Sequence, residues 1–222
     1  MNPSISFRCC QRTDLPVCAS IAVEAFPLNT SRFTGEEASK FMQAQIDGCY
    51  AISNYYELAI ADGEVAGLLF GRVKQKSVLI DMCQTLKQLL LISVRFLLGR
   101  YGSRRKLIRL IKPSLQSLRA FKRNTPAGKA EVVLFAAAPK YQGKGIGHAL
   151  MDRFVRHALR YKVKAILVPT DETASFWFYE RYGFRRWAEY KDPLESYLAN
   201  RPIKGFIYQL LLCELEGQEL EF

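Results

Sequence analysis

The residues best placed to do chemistry are six in a row, Gln142-Gly143-Lys144-Gly145-Ile146-Gly147. The alternating glycines lie between an apolar run, 131–138, and a stretch with helical spacing, 147–161. Glycine tolerates positive φ and lets backbone approach a ligand closely. Successive amides in such a turn can converge on an anion. The following helix adds its free N–H groups and the positive end of its dipole. Lys144 adds a charge at the rim. The turn is thus either a phosphate or diphosphate cradle or a tight connection without ligand. Two familiar cradles are excluded. No Ser or Thr follows a Gly-Lys pair, so the nucleotide P-loop pattern fails. The dinucleotide pattern G-x-G-x-x-G meets His148 or Leu150 where it needs its last glycine. About 20 positions on, where a ribose-binding acid would stand, is the run 164–168, which has none.

The elements that must position this turn can be read from pattern. The apolar stretch 4–10 alternates as a strand does. A helix is expected over 12–26, with Thr13 or Asp14 as its cap and Pro16 in its first turn. A second helix is expected over 36–46. Strands over 56–61 and 65–73 are joined by Asp62-Gly63, a hairpin signal. Strand 131–138 and helix 147–161 flank the glycine turn. Then come strand 164–168, a short aromatic helix 174–182 ended by Gly183, and strands 184–190 and 206–212. This order predicts an α/β fold, a mixed sheet with helices on its faces.

Composition sets the outer bounds. The chain of 222 residues is 49% hydrophobic and 24% charged, as a globular protein is. One domain over 1–222 is expected. The first residues lack the apolar core of a signal peptide. The longest aliphatic stretch, 89–94, ends at Arg95 and falls far short of the ~20 residues of a span, so no membrane span is expected. Cys9, Cys10, Cys18, Cys49, Cys83 and Cys213 show no C-x-x-C spacing. They read as reduced thiols of a cytoplasmic protein. His148 and His157 stand near no cysteine pair, so no metal is expected.

The net charge of +11 belongs to one segment. Between Met82 and Ala130 there are twelve basic residues and no acidic one; the remainder is nearly neutral. This stretch, about 77–128, carries Leu and Ile at helical spacing, with breakers at Gly99, Gly102 and Pro113. Two or three amphipathic helices are expected. The part 86–98 is apolar around most of its circumference and should be partly buried. Three roles stay open for the segment: a helical hairpin docked on the domain, a pocket wall favouring acidic or phosphorylated substrates, or attachment to membrane or nucleic acid. Its aromatics, Phe96, Tyr101 and Phe121, are sparse for base stacking, so nucleic acid is not the expected partner.

Taken together, Gln142-x-x-Gly145-x-Gly147 and the downstream Phe178-Tyr179-Glu180-Arg181-Tyr182-Gly183-Phe184 resemble the GNAT superfamily of N-acetyltransferases. The likeness is close over 131–184 and rests on element order elsewhere. It implies the GNAT fold, a mostly antiparallel central sheet, with 77–128 as a basic helical insertion between the third and fourth strands. It implies acetyl-CoA as co-substrate and an amine acceptor, with direct transfer in a ternary complex. It also implies residue roles. The pyrophosphate would lie on Gln142, Gly143, Lys144, Gly145, Ile146, Gly147 and His148. The pantetheine arm would run along the backbone of Phe135, Ala136, Ala137 and Ala138, beside Phe178. Tyr179 would be the acid for the departing thiolate. Glu131 stands where one branch of the family has a general base, with Glu24, Asp81 or a water chain as rivals. Many relatives have Asn where Glu172 stands, so Thr173 or Ser175 would have to make that contact. No cysteine lies near either motif in sequence, which disfavours a covalent acetyl-cysteine route. The acceptor pocket would be built by 27–35, the insertion and 191–204. A homodimer is compatible with the sequence. A coenzyme A-binding sensor without turnover and a nucleic-acid or ribosome-associated protein are the competing functions.

Overall fold

The structure, a computed structural model, describes residues 4–26, 32–74, 78–126 and 130–212, with backbone alone for 78–85 and 89. Strand β1 (Ile5–Cys9) leads through one 3-10 turn into helix α1 (Leu15–Ala25), with Pro16 in its first turn. Asp14 does not cap α1 with its side chain. Its carboxylate instead takes the Arg8 guanidinium at 2.6 Å and the Gln11 N–H at 2.8 Å. Helix α2 (Glu36–Ile52) runs six residues past the expected end. Strands β2 (Tyr55–Ala61) and β3 (Glu64–Val73) turn at Asp62 and Gly63, both at positive φ.

Two helices follow, α3 (Val78–Leu97) and α4 (Arg104–Asn124). Gly99 and Gly102 break the chain between them at positive φ. Pro113 does not break it: it lies buried inside α4. Packing overrides the lost backbone bond there. Leu110 joins Phe41 and Leu198 in a small second core, and Ser117 donates to Asp192 at 2.6 Å.

Strand β4 (Ala130–Ala137), helix α5 (Ile146–Arg160), strand β5 (Ala165–Asp171), helix α6 (Trp177–Tyr182) and strand β6 (Arg185–Lys191) come next. Helix α7 (Pro193–Ala199) precedes strand β7 (Lys204–Leu211). The expected loop over 191–204 therefore contains a helix. The Asp192 carboxylate accepts from the N–H groups of Leu194 and Glu195 and starts it.

The seven strands form one sheet in the order β1-β2-β3-β4-β5-β7-β6. Only β4 and β5 run parallel, and they pair at just two positions, Ala130 with Ile166 and Glu131 with Leu167. Val133 is an extra residue, for Gly71 faces Val132 while Phe70 faces Leu134. A bulge of this kind bends its strand. Past Glu131 the sheet opens between β4 and β5, and the site lies in that opening.

Candidate active site

The walls of the opening are β4, the glycine turn and α5 on one side, and β5 and α6 on the other. They enclose a cleft of about 720 Å³. Gly143 and Gly145 both take positive φ, +77° and +78°. A side chain there would meet nothing within 4 Å, so open space lies beside both residues. No described backbone group accepts from the N–H of Gly143, Gly145, Ile146, Gly147 or His148. These are the unsatisfied amides of a helix start, and they line the cleft with Gln142. The arrangement fits a diphosphate. Gly147 has a different reason to be glycine. A Cβ there would lie 3.2 Å from Phe135 Cζ and from Phe178 Cε2.

Of the expected β4 contacts, Phe135, Ala136 and Ala137 line the cleft. Ala138 is not among its lining residues, and its N–H is spent on the Ala66 carbonyl at 2.9 Å. Lys144 stays at the exposed rim, its Nζ 5.0 Å from the Tyr141 ring centroid. Thr173 and Ser175 line the opposite wall, with Thr173 held to Asp171 by its N–H and hydroxyl. Glu172 pairs with Arg201 at 2.7 Å and is not among the lining residues.

Tyr179 lines the cleft and is itself buried. Its ring packs 6.3 Å from Phe135 and 5.7 Å from Phe184, centroid to centroid. Helix α6 is fixed by Glu180, which binds Arg186 at 2.9 Å and accepts from Tyr208 at 2.6 Å. The Tyr179 hydroxyl makes no hydrogen bond to the described residues. Burial, with the Asp171 charge second, pushes its pKa up, so the phenol holds its proton at neutral pH.

Two carboxylates contend for the base. Glu131 sits at the closed end of the β4–β5 junction, opposite Arg72, and is not among the lining residues. Burial raises its pKa, while Arg72 and Lys74 oppose that rise. Glu195, on the unexpected helix α7, does line the cleft, as does Asp171. Burial first, then Asp171 and Asp192, push Glu195 up to about 8. The sequence does not announce it, because α7 is only seven residues, about two turns, without apolar periodicity. The run Asp192-Pro193, a cap followed by proline at the first helical position, was the available signal.

Helix α2 also delivers Cys49 to the cleft, far as it is from the motifs in sequence. Burial, with Glu131 second, pushes this thiol up to about 12. It is therefore a protonated lining group and a poor nucleophile. The part of the expected acceptor wall over 27–31 lies outside the described residues. No group of three His, Cys, Asp or Glu set to hold a metal is found among the described residues. Nor is any helix among them long and apolar enough to cross a membrane.

Residues 117–186 match the family model of the acetyltransferase (GNAT) domain. No curated protein matches the sequence. Among solved structures, the ribosomal-protein-S18-alanine N-acetyltransferase of Escherichia coli aligns with TM-score 0.54 and 14% identity, over 99% of this chain and 100% of that one. Ard1 of Thermoplasma volcanium aligns with TM-score 0.53 and 15% identity, over 93% and 97%. YncA of Salmonella typhimurium, solved with its cofactor acetyl-CoA, gives 0.50 and 15%, over 94% of each chain. At these identities the likeness is one of fold.

Proposed function

We propose that this chain is a GNAT acyltransferase that uses acetyl-CoA as its co-substrate and moves the acetyl group directly to a primary amine. The observation that carries this reading is the cleft where β4 and β5 part. Its lining brings together the free amides of the glycine turn, Tyr179 and the carboxylates of Asp171 and Glu195. When bound there, acetyl-CoA supplies an activated acyl carbon as its thioester. The amides of the glycine turn hold the diphosphate. The edge of β4 that β5 leaves unpaired offers backbone groups to the amide-bearing arm.

An amine near pH 7 is a cation, and a Lys-like one has a pKa of about 10.4. Asp171 and Glu195 make the cleft favourable to that cation. Glu195 then takes the proton that frees the nitrogen lone pair. A carboxylate in partial burial is a stronger base than one in water, and the positive substrate draws it into its ionised form. The Tyr179 hydroxyl, protonated at this pH, gives its proton to the sulfur as the C–S bond breaks. Glu131 keeps a place only as a base acting through water, since it is outside the lining. Cys49 takes no part. The acceptors named for structural relatives, a ribosomal-protein alanine among them, differ too much in chemistry to name this one.

The reading is tested by thiol release from acetyl-CoA across a panel of primary amines and peptide N-termini, with a matched alcohol as control. Release with amines alone supports it. Stabilisation by acetyl-CoA without release on any amine would favour a sensor.

A further inference from the structure

Helix α4 is apolar on two opposite faces. One face, with Leu110, Pro113 and Ser117, is docked on the domain, as the second core and the Ser117–Asp192 bond describe. The other carries Ile108, Ile111, Leu115 and Leu118 at spacings of three, four and three. These stay 47–54% exposed. Helix α3 exposes Leu90, Val94 and Leu97 along one of its own faces. The expected partial burial of 86–98 is met at Gln88, Ile92, Arg95 and Phe96, which are half-buried, with Arg95 anchoring α3 through Asp47, while Leu86, Leu90, Leu91, Leu97 and Leu98 stay exposed. A helical face of this kind, left in water, costs ~25 cal/mol per Å² of apolar surface, and so wants a cover.

The rim of that face is cationic. Arg105, Lys112 and Arg119 run along one side of the α4 stripe, and Arg104 and Lys122 stand in line with it at its two ends. Within 86–124, only Arg95 and Lys106 pair with carboxylates among the described residues. Arg119 and Arg123 also line a shallow groove with Lys191 beside α7. The segment contains no acidic residue. A second copy meeting the same face would bring basic rim against basic rim. A nucleic acid would use the cations but leave the aliphatic stripe wet. One surface satisfies both features: acyl chains for the leucines and anionic headgroups for the arginines and lysines. Each such cation near an anionic leaflet contributes ~1 kcal/mol.

We infer that the exposed face of α4 docks the protein peripherally on an anionic phospholipid bilayer. The docked face of α4 packs on α7, the helix that carries Glu195.

The test is co-sedimentation of the full chain with vesicles of phosphatidylcholine alone or mixed equally with phosphatidylglycerol. The expected result is binding to the mixed vesicles only, weakened by salt. The double variant Ile111→Ser/Leu115→Ser keeps every charge and should bind at least tenfold more weakly. Its melting temperature and its turnover of a soluble amine should match the parent's. Three results overturn the inference. The parent sediments with neither vesicle. The double variant binds as the parent does, which leaves plain charge attraction. Or, without lipid, sedimentation equilibrium finds a parental dimer that the double variant loses, which assigns the face to a second copy.

Discussion

Gly147 and Phe178 are in contact so close that a methyl group on Gly147 would sit 3.2 Å from the ring. The glycine at the start of α5 therefore seats the aromatic helix that carries Tyr179. The two motifs are one packing unit and cannot move independently. Phe178 is itself wedged by Phe135 at 5.1 Å and His148 at 5.1 Å. It has little room to give way. Gly147→Ala should lower stability by ~1 kcal/mol, overpacking outweighing the gain in helix propensity. That is roughly 2–4 °C in a chain of this size. A thermal melt checks it; a higher melting temperature would show that the rings yield.

Gly145 predicts a different outcome. Its φ of +78° is costly for any residue with a Cβ, at ~1–2 kcal/mol, but nothing crowds the added methyl. Gly145→Ala should fold with a modest loss of stability and bind coenzyme A at least tenfold more weakly. Titration calorimetry reads that directly. An unchanged Kd would place the diphosphate elsewhere.

Tyr179→Phe removes one hydroxyl and keeps the ring against Phe135 and Phe184. The hydroxyl has no protein hydrogen bond to lose, so stability and coenzyme A affinity should hold. Turnover should fall by ~10²-fold. The comparison is kcat against Kd in the same preparation. A parental kcat, with chemistry shown to limit the rate, would return Tyr179 to the core.

What the sequence made legible follows from where the information resides. The glycine turn works through local backbone, so its residue types and spacing reported it directly. Most strands and helices did likewise, through their apolar periods. Three things were not legible. Cys49 reaches the cleft only because α2 packs across the open sheet. Pro113 reads as a breaker unless the packing of α4 on α7 is known. Glu195 rides on a helix too short to show a period, and its raised pKa comes from burial and from Asp171, a residue of another element. The α3–α4 segment taught the reverse lesson. Its apolar circumference argued for burial within the chain, and much of it faces outward instead.

The central claim is most directly tested by the pH dependence of kcat/KM for one amine in the parent, Glu195→Gln and Glu131→Gln. Glu195 has its folded pKa raised from 4.5 to about 8. Its base form therefore appears only as pH rises through that value. Stability runs the other way: this group's contribution is complete below about 4.5 and is lost as pH climbs through about 8. Glu195→Gln should therefore melt higher than the parent above that pH and no higher in acid. The amine's own ionisation is common to all three proteins, so differences between them isolate the enzyme's groups. The parent's rate should rise through about pH 8, Glu131→Gln should keep this step, and Glu195→Gln should lose it with ~10²-fold of the rate. A Glu195→Gln profile superimposable on the parent's would contradict the account.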